Sequence, residues 1–120
     1  MAGVGPESST AVGRKAKTVS LRVLTEAEEE VFSAACWYDD QLPGLGGDFL
    51  DAYEAALKRI EDCPTQFARL ETTPPDVDIR RCILRRFPYL IIFELLAHET
   101  VVLAVAHASR RPDYWRGRGP

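Results

Sequence analysis

Two nearly continuous apolar runs, Tyr89–Leu96 and Val101–His107, are separated only by Ala97-His98-Glu99-Thr100, and this pair constrains the chain more than any other feature. Runs of that length joined by so short and polar a link favour two strands of a central hairpin over a helix. A further strand is expected just upstream, over Ile79–Phe87, carrying Arg80, Arg81, Arg85 and Arg86. Near the start, Val19-Ser20-Leu21-Arg22-Val23-Leu24 alternates apolar and polar residues in the manner of a half-buried strand.

Between these strands the period changes. Ala27, Val31, Ala35, Tyr38 and Leu42 recur at spacings of a helical face, and Thr25-Glu26-Ala27-Glu28 reads as a capping box in front of them. The acids Glu26, Glu28, Glu29 and Glu30 suit the positive end of that helix. Pro43-Gly44-Leu45-Gly46-Gly47 turns the chain, and a second face made by Leu50, Tyr53, Leu57 and Ile60, with Phe49 and Ala56, runs until Cys63-Pro64 stops it. Thr65 to Asp78 is a connection. The order β-α-α-β-β-β predicts an α+β fold in which a two-helix antiparallel hairpin covers one face of a mainly antiparallel four-stranded sheet.

With 120 residues, 46% of them hydrophobic, the chain has room for one domain with its own core. Residues 1–18 mix Gly, Ser, Ala, Pro and scattered charge without apolar period and read as a disordered leader, leaving 19–118 as the folded domain. Cys36, Cys63 and Cys82 are widely spaced, without a CxxC pair, and are expected as reduced, mostly buried thiols. Neither a membrane span nor a signal peptide is supported, so a cytoplasmic address is the expectation. No metal or organic cofactor is implied, because the two histidines and three cysteines lack ligand spacing.

The formal charge of −3 averages over an uneven chain: residues 25–78 carry −11, whereas residues 79–120 carry +5 with eight arginines. An arginine-rich module joined to an acidic helical layer points to an anionic partner.

Several strings, in this order and spacing, resemble the RelE/ParE superfamily of toxins from type II toxin–antitoxin pairs. They are Ala34-Ala35-Cys36-Trp37-Tyr38, Leu42-Pro43-Gly44-Leu45-Gly46, Phe49-Leu50, Arg85-Arg86-Phe87-Pro88-Tyr89, and Val105-Ala106-His107 with Arg110, Pro112, Tyr114 and Trp115. Together they cover about Val19 to Arg118. The resemblance implies a growth-inhibiting, plasmid-stabilising toxin held in check by a cognate antitoxin, with operator DNA reached only through that antitoxin. It houses two activities on one fold: ribosome-dependent cleavage of messenger RNA, and ParE-type poisoning of DNA gyrase without RNA cleavage.

If the chain is an RNA-cleaving enzyme, His107 serves as acid or base, Arg86 and Arg110 clamp phosphate, and Tyr114 stacks or donates, with Glu71 an alternative base. The ribonucleases that rely on lysines after the second helix are not matched, since Thr65–Asp78 holds Arg69 and no lysine. That departure and the acidic helical layer favour a ParE-like binder of gyrase over an enzyme acting on ribosome and mRNA. A decayed toxin kept as a binding partner is the third reading. The expected target- or antitoxin-binding surface is Arg80, Arg81, Arg85, Arg86, Arg110, Arg111, Tyr114, Trp115 and Arg116. Arg80-Arg81 and Arg85-Arg86 are adjacent pairs, so in a strand each pair sends one side chain to each face, and some must meet the acidic helices. Trp37 lies off its helical stripe, and His107 can equally be a structural histidine bonded to the C-terminal segment.

Overall fold

The computed structural model describes residues 20–71, 73–111 and 114–118. The expected leader, together with Val19 and Pro112, lies outside them. In chain order the elements are β1 (Ser20–Val23), α1 (Thr25–Gln41), α2 (Leu45–Asp62), a 3-10 turn at Pro64–Gln66, then β2 (Ile79–Ile83), β3 (Tyr89–Leu95) and β4 (Glu99–His107). The sheet order is β1-β4-β3-β2, with β1 parallel to β4 and the other two pairings antiparallel. The α+β class and the β-α-α-β-β-β order are as the sequence predicts.

The expected capping box does not form. Leu24 is the N-cap, no side chain caps the helix, and Thr25 is already its first residue. The reason lies in the strand before it: the Leu24 N–H donates to Val102 O at 3.1 Å and the Leu24 side chain is buried, so β1 passes into α1 without a spare residue. At the other end α1 stops at Gln41, and Leu42, expected on the buried stripe, is 58% exposed.

Asp39 organises the helical turn. Its Oδ1 accepts from the N–H groups of Gly44 at 2.9 Å and Gly46 at 3.2 Å, supplying α2 with the N-terminal acceptor that its N-cap, Gly44, cannot offer. Gly44 adopts φ 94°, a left-handed conformation that favours glycine. At Gly46 the helices approach so closely that a Cβ would lie 2.5 Å from Ala35 O. Gly46→Ala is therefore expected to cost about 1–3 kcal/mol, read as a lower urea midpoint. The buried face of α2 is Gly46, Phe49, Tyr53, Ala56 and Ile60, with Leu57 partly buried against it; of the expected face only Leu50, 40% exposed, lies outside.

The sheet is covered on both faces. Between helices and sheet lie Phe49, Ile60, Ile91, Phe93, Val102 and Val105, with an aromatic group formed by Tyr38, Phe49, Phe87 and Tyr89. A second cluster on the opposite face joins Leu24, Ile79, Ile92, Val101, Leu103, Ala104 and Trp115, with Leu70 and Val77 against it. Apolar cover on both faces is why β3 and β4 read as unbroken runs. The register shifts between the Ile92 and Phe93 pairings, so that Ile92 faces Ala104 while Phe93 faces Val102. This irregularity places Leu103 and Ala104 together in the second cluster.

Three sequence expectations change here. The first strand of the C-terminal sheet ends at Ile83 rather than Phe87, because Arg86 takes φ 73° and the Leu84 N–H closes the turn on Tyr89 O at 2.9 Å. The cysteines are not mostly buried: Cys82 is, but Cys36 and Cys63 are exposed. Trp115, expected on a binding surface, is 4% exposed and belongs to the core.

Candidate functional site: a basic cleft on the second sheet face

The connection between α2 and β2 folds back along the outer edge of β2. The Leu70 N–H donates to Ile79 O at 2.8 Å and the Arg81 N–H to Ala68 O at 3.2 Å. Asp78 fixes it from within, accepting from Arg80 Nε at 2.8 Å and lying 3.4 Å from Arg69 Nε, while Arg69 also donates to the carbonyls of Pro74 and Val77. This segment forms one wall of a cleft of about 480 Å³, and the chain after β4 forms the other. Leu70, Leu90, Ile92, Ala106 and Trp115 make an apolar floor. Arg69, Arg81, Arg110, Arg111 and His107 stand around it, and among the described residues Glu71 is the sole carboxylate lining it.

Strand alternation sorts the arginines as expected. Arg81 reaches the cleft, whereas Arg80 turns to the other side and donates to Phe67 O at 2.7 Å and Thr65 O at 3.1 Å, which makes it a clamp on the chain leaving α2. Arg86 is absent from the cleft lining: it approaches Asp48 of α2 at 3.7 Å and lies over the Phe87 ring at 5.5 Å. Arg85 is exposed in the same turn, and Arg116 lies 5.3 Å over the Trp115 ring. Of the four residues named for RNA cleavage, the fold brings together His107, Arg110 and Tyr114 and leaves Arg86 out.

His107 ends β4 with its ring 5.3 Å from that of Tyr89. Its Nδ1 accepts from the Ser109 backbone N–H at 3.1 Å and lies 2.8 Å from Ser109 Oγ, so the neutral ring carries its proton on Nε2. Two guanidinium groups lie over the Tyr114 ring, Arg110 at 3.9 Å and Arg118 at 5.0 Å. Its hydroxyl is buried without a hydrogen-bond partner of good geometry. Burial, with the Glu30 carboxylate alongside, pushes this phenol far above its ordinary value.

Two residues with central roles were not among the expected site residues, Glu30 and Arg118. They form a two-pronged ion pair, with Arg118 Nη1 on Glu30 Oε1 and Nη2 on Oε2, both at 3.1 Å. Glu30 Oε1 also accepts the Val105 N–H at 2.9 Å, and Arg118 Nη1 donates to Leu103 O at 2.9 Å. The pair thus bonds the edge of β4 beyond Val102, where β1 has ended, and ties down the segment that carries Tyr114 and Trp115. A signal for Glu30 existed: it lies three residues after Ala27 and four before Ala34, inside the buried stripe of α1.

All four tyrosines have raised phenol values, chiefly from burial, with Tyr53 pushed up to about 12. A phenol whose value is higher in the folded than in the unfolded chain stabilises the fold fully below the unfolded value near 10, and that contribution is lost as pH rises through the folded value. Thermal stability is therefore expected to hold to about pH 9 and to fall steeply between about pH 10 and 12, measured as Tm against pH.

Among the described residues no group of three or more His, Cys, Asp or Glu side chains is arranged to hold a metal, and no helix is long and apolar enough to cross a membrane. The cleft offers guanidinium groups, an imidazole and an apolar floor, a set suited to holding an anionic ligand that also has apolar parts.

A helix hairpin on a sheet of order β1-β4-β3-β2, with the second face closed by the α2–β2 connection and the C-terminal segment, is a fold that this chain shares with a protein of known structure. A solved chain from the chromosomal ParDE toxin–antitoxin system of P. aeruginosa superposes with a TM-score of 0.65 at 18% identity, over 77% of this chain and 98% of that one. At that identity the likeness establishes the fold. No protein-family model and no curated protein matches the chain.

Proposed function

We propose that this chain is the toxin component of a type II toxin–antitoxin pair, ParE-like, acting by binding to DNA gyrase and neutralised by a cognate antitoxin. The observation that carries the binding role is the disposition of the candidate catalytic residues. Arg86 is drawn to Asp48 and stands outside the cleft, and the Tyr114 hydroxyl is buried. An RNA-cleaving centre needs its acid, base and phosphate clamps to converge on one reacting group. The cleft gathers His107 and Glu71 with Arg81, Arg110 and Arg111 around an apolar floor, but without Arg86 and without an accessible Tyr114 hydroxyl. That chemistry suits a macromolecular partner with carboxylates flanking apolar side chains, as an antitoxin segment that folds on binding would present. The likeness to a chain of the ParDE system supports the toxin reading.

The test is expression of the full chain in bacteria without an antitoxin, following colony formation, plasmid supercoiling and mRNA integrity together. Expected are growth arrest, trapped cleaved DNA and intact mRNA, with arrest relieved in the Arg81→Gln/Arg110→Gln/Arg111→Gln variant. Rapid mRNA cleavage with normal supercoiling would overturn the gyrase reading, and normal growth of cells holding folded, soluble protein would overturn the toxin reading.

A further inference from the structure

On the side of the molecule away from the arginine cleft, α1 presents an aromatic ring to solvent. Phe32 is 71% exposed, more than any other large hydrophobic side chain among the described residues. It stands beside Glu28 and Glu29 around an open depression that Thr25 and Ser33 complete. Neither carboxylate has an ion-pair partner among the described residues, and α1 holds no lysine or arginine along its length. The cleft has the opposite sign. Leu70 and Leu90 lie half-buried on its floor, while Arg81, Arg110 and Arg111 are exposed around it. Arg69 is held by Asp78, and Glu71 sets one carboxylate against the arginines. Arg81 and Arg111 have no ion-pair partner among the described residues.

We propose that Phe32, with its flanking carboxylates, seats in the arginine cleft of a second copy of this chain, so that the protein associates head to tail and covers its own cleft. Two physical features select that occupant. The first is charge: Glu28 and Glu29 travel with the ring and arrive where Arg81 and Arg111 lack partners. The second is shape. A cleft of about 480 Å³ with an apolar floor has room for one aromatic side chain, the kind of anchor that carries most of the energy of a small contact. The helices lie on one face of the sheet and the cleft on the other, so ring and cleft cannot meet within one chain. The contact therefore joins unlike surfaces. Resting on one anchor and a few exposed charges, it is weak and salt-sensitive, and a tighter partner segment displaces it from the cleft. The inference stands on the two surfaces and not on the toxin reading: a chain without toxicity can still self-associate, and a toxin can be monomeric.

The test is sedimentation velocity of the full chain from about 5 to 500 μM, at about 0.05 and 0.5 M salt. Expected is reversible growth beyond the monomer at low salt, weakened by about tenfold or more at high salt or on Glu28→Gln/Glu29→Gln. Phe32→Ala and Arg81→Gln/Arg110→Gln/Arg111→Gln are each expected to stay monomeric. An equimolar mixture of those two variants is expected to recover a one-to-one complex, because the first keeps its cleft and the second its ring. All these positions are exposed, so circular dichroism is expected to show the variants folded. A full chain that stays monomeric throughout, even where an acidic peptide containing phenylalanine binds its cleft, association unchanged by Phe32→Ala, or a mixture of the two variants that stays monomeric would each overturn the proposal.

Discussion

Trp115→Ala is expected to lower stability by about 3–5 kcal/mol, the largest effect of any single change after β4. Trp115 is 4% exposed and packs with Ile92, Leu103 and Ala104 on the sheet face that the helices do not reach. Removing the indole leaves a cavity under a short segment that has no secondary structure to hold its shape, so the loss includes both the transfer of apolar area and the void. For a domain of this size that corresponds to a Tm about 15–30 °C lower. The cleft floor would go with it, because Trp115 and Tyr114 line the cleft together. Calorimetry on the variant decides the matter: a Tm within a few degrees of the unaltered protein would mean that the C-terminal segment is not part of the core.

Arg118→Met is the second. Arg118 and Glu30 each keep only 17% of their side-chain surface, and their pairing holds both partners to a purpose beyond charge. Loss of the guanidinium removes the donor to Leu103 O and leaves a half-buried carboxylate with the Val105 N–H as its remaining partner. The expected cost is about 2–3 kcal/mol, below that of a fully buried pair because solvent still screens the site. Glu30→Gln, which retains an acceptor for Val105, is expected to cost less. In the double variant the costs are expected to fall short of their sum by about 1 kcal/mol or more, measured by urea unfolding of all four proteins. Strict additivity would show that the two side chains act separately. Since the same pair fastens the segment bearing Tyr114, the Arg118 variant is also expected to loosen the cleft wall.

Much of the architecture follows from local patterns. The two apolar runs give the β3–β4 hairpin, and the helical spacings around Ala27 and Tyr53 give α1 and α2. Errors cluster where a residue serves a distant partner. Thr25 has the composition of a cap, but Leu24 takes the position because Val102 and the second cluster hold it there. Leu50 falls outside the buried face of α2 while Gly46, read as part of the turn, is the point of helix contact. Cys36 and Cys63 were assigned to the core on residue type alone, and their places on the fold expose them.

For the site, the arginine-rich last third and the residues His107, Arg110, Arg111 and Tyr114 were legible as a group, and they do share a cleft. Which arginines are available was not. Adjacent pairs in a strand must divide between two faces, so the sequence by itself determined that Arg80 and Arg81 would part company. It did not determine that Asp78 and two carbonyls would engage Arg80, that Asp48 would attract Arg86, or that Glu30 would take Arg118 across 88 positions of chain. Those outcomes depend on the register shift in β4 and on the fold of the connection over β2, both of which are relations between remote segments. Periodicity is a local property and specifies elements; partners are chosen by tertiary packing, and only that packing made Arg80 a clamp and Arg118 a lock and set Arg81, Arg110 and Arg111 around one cleft.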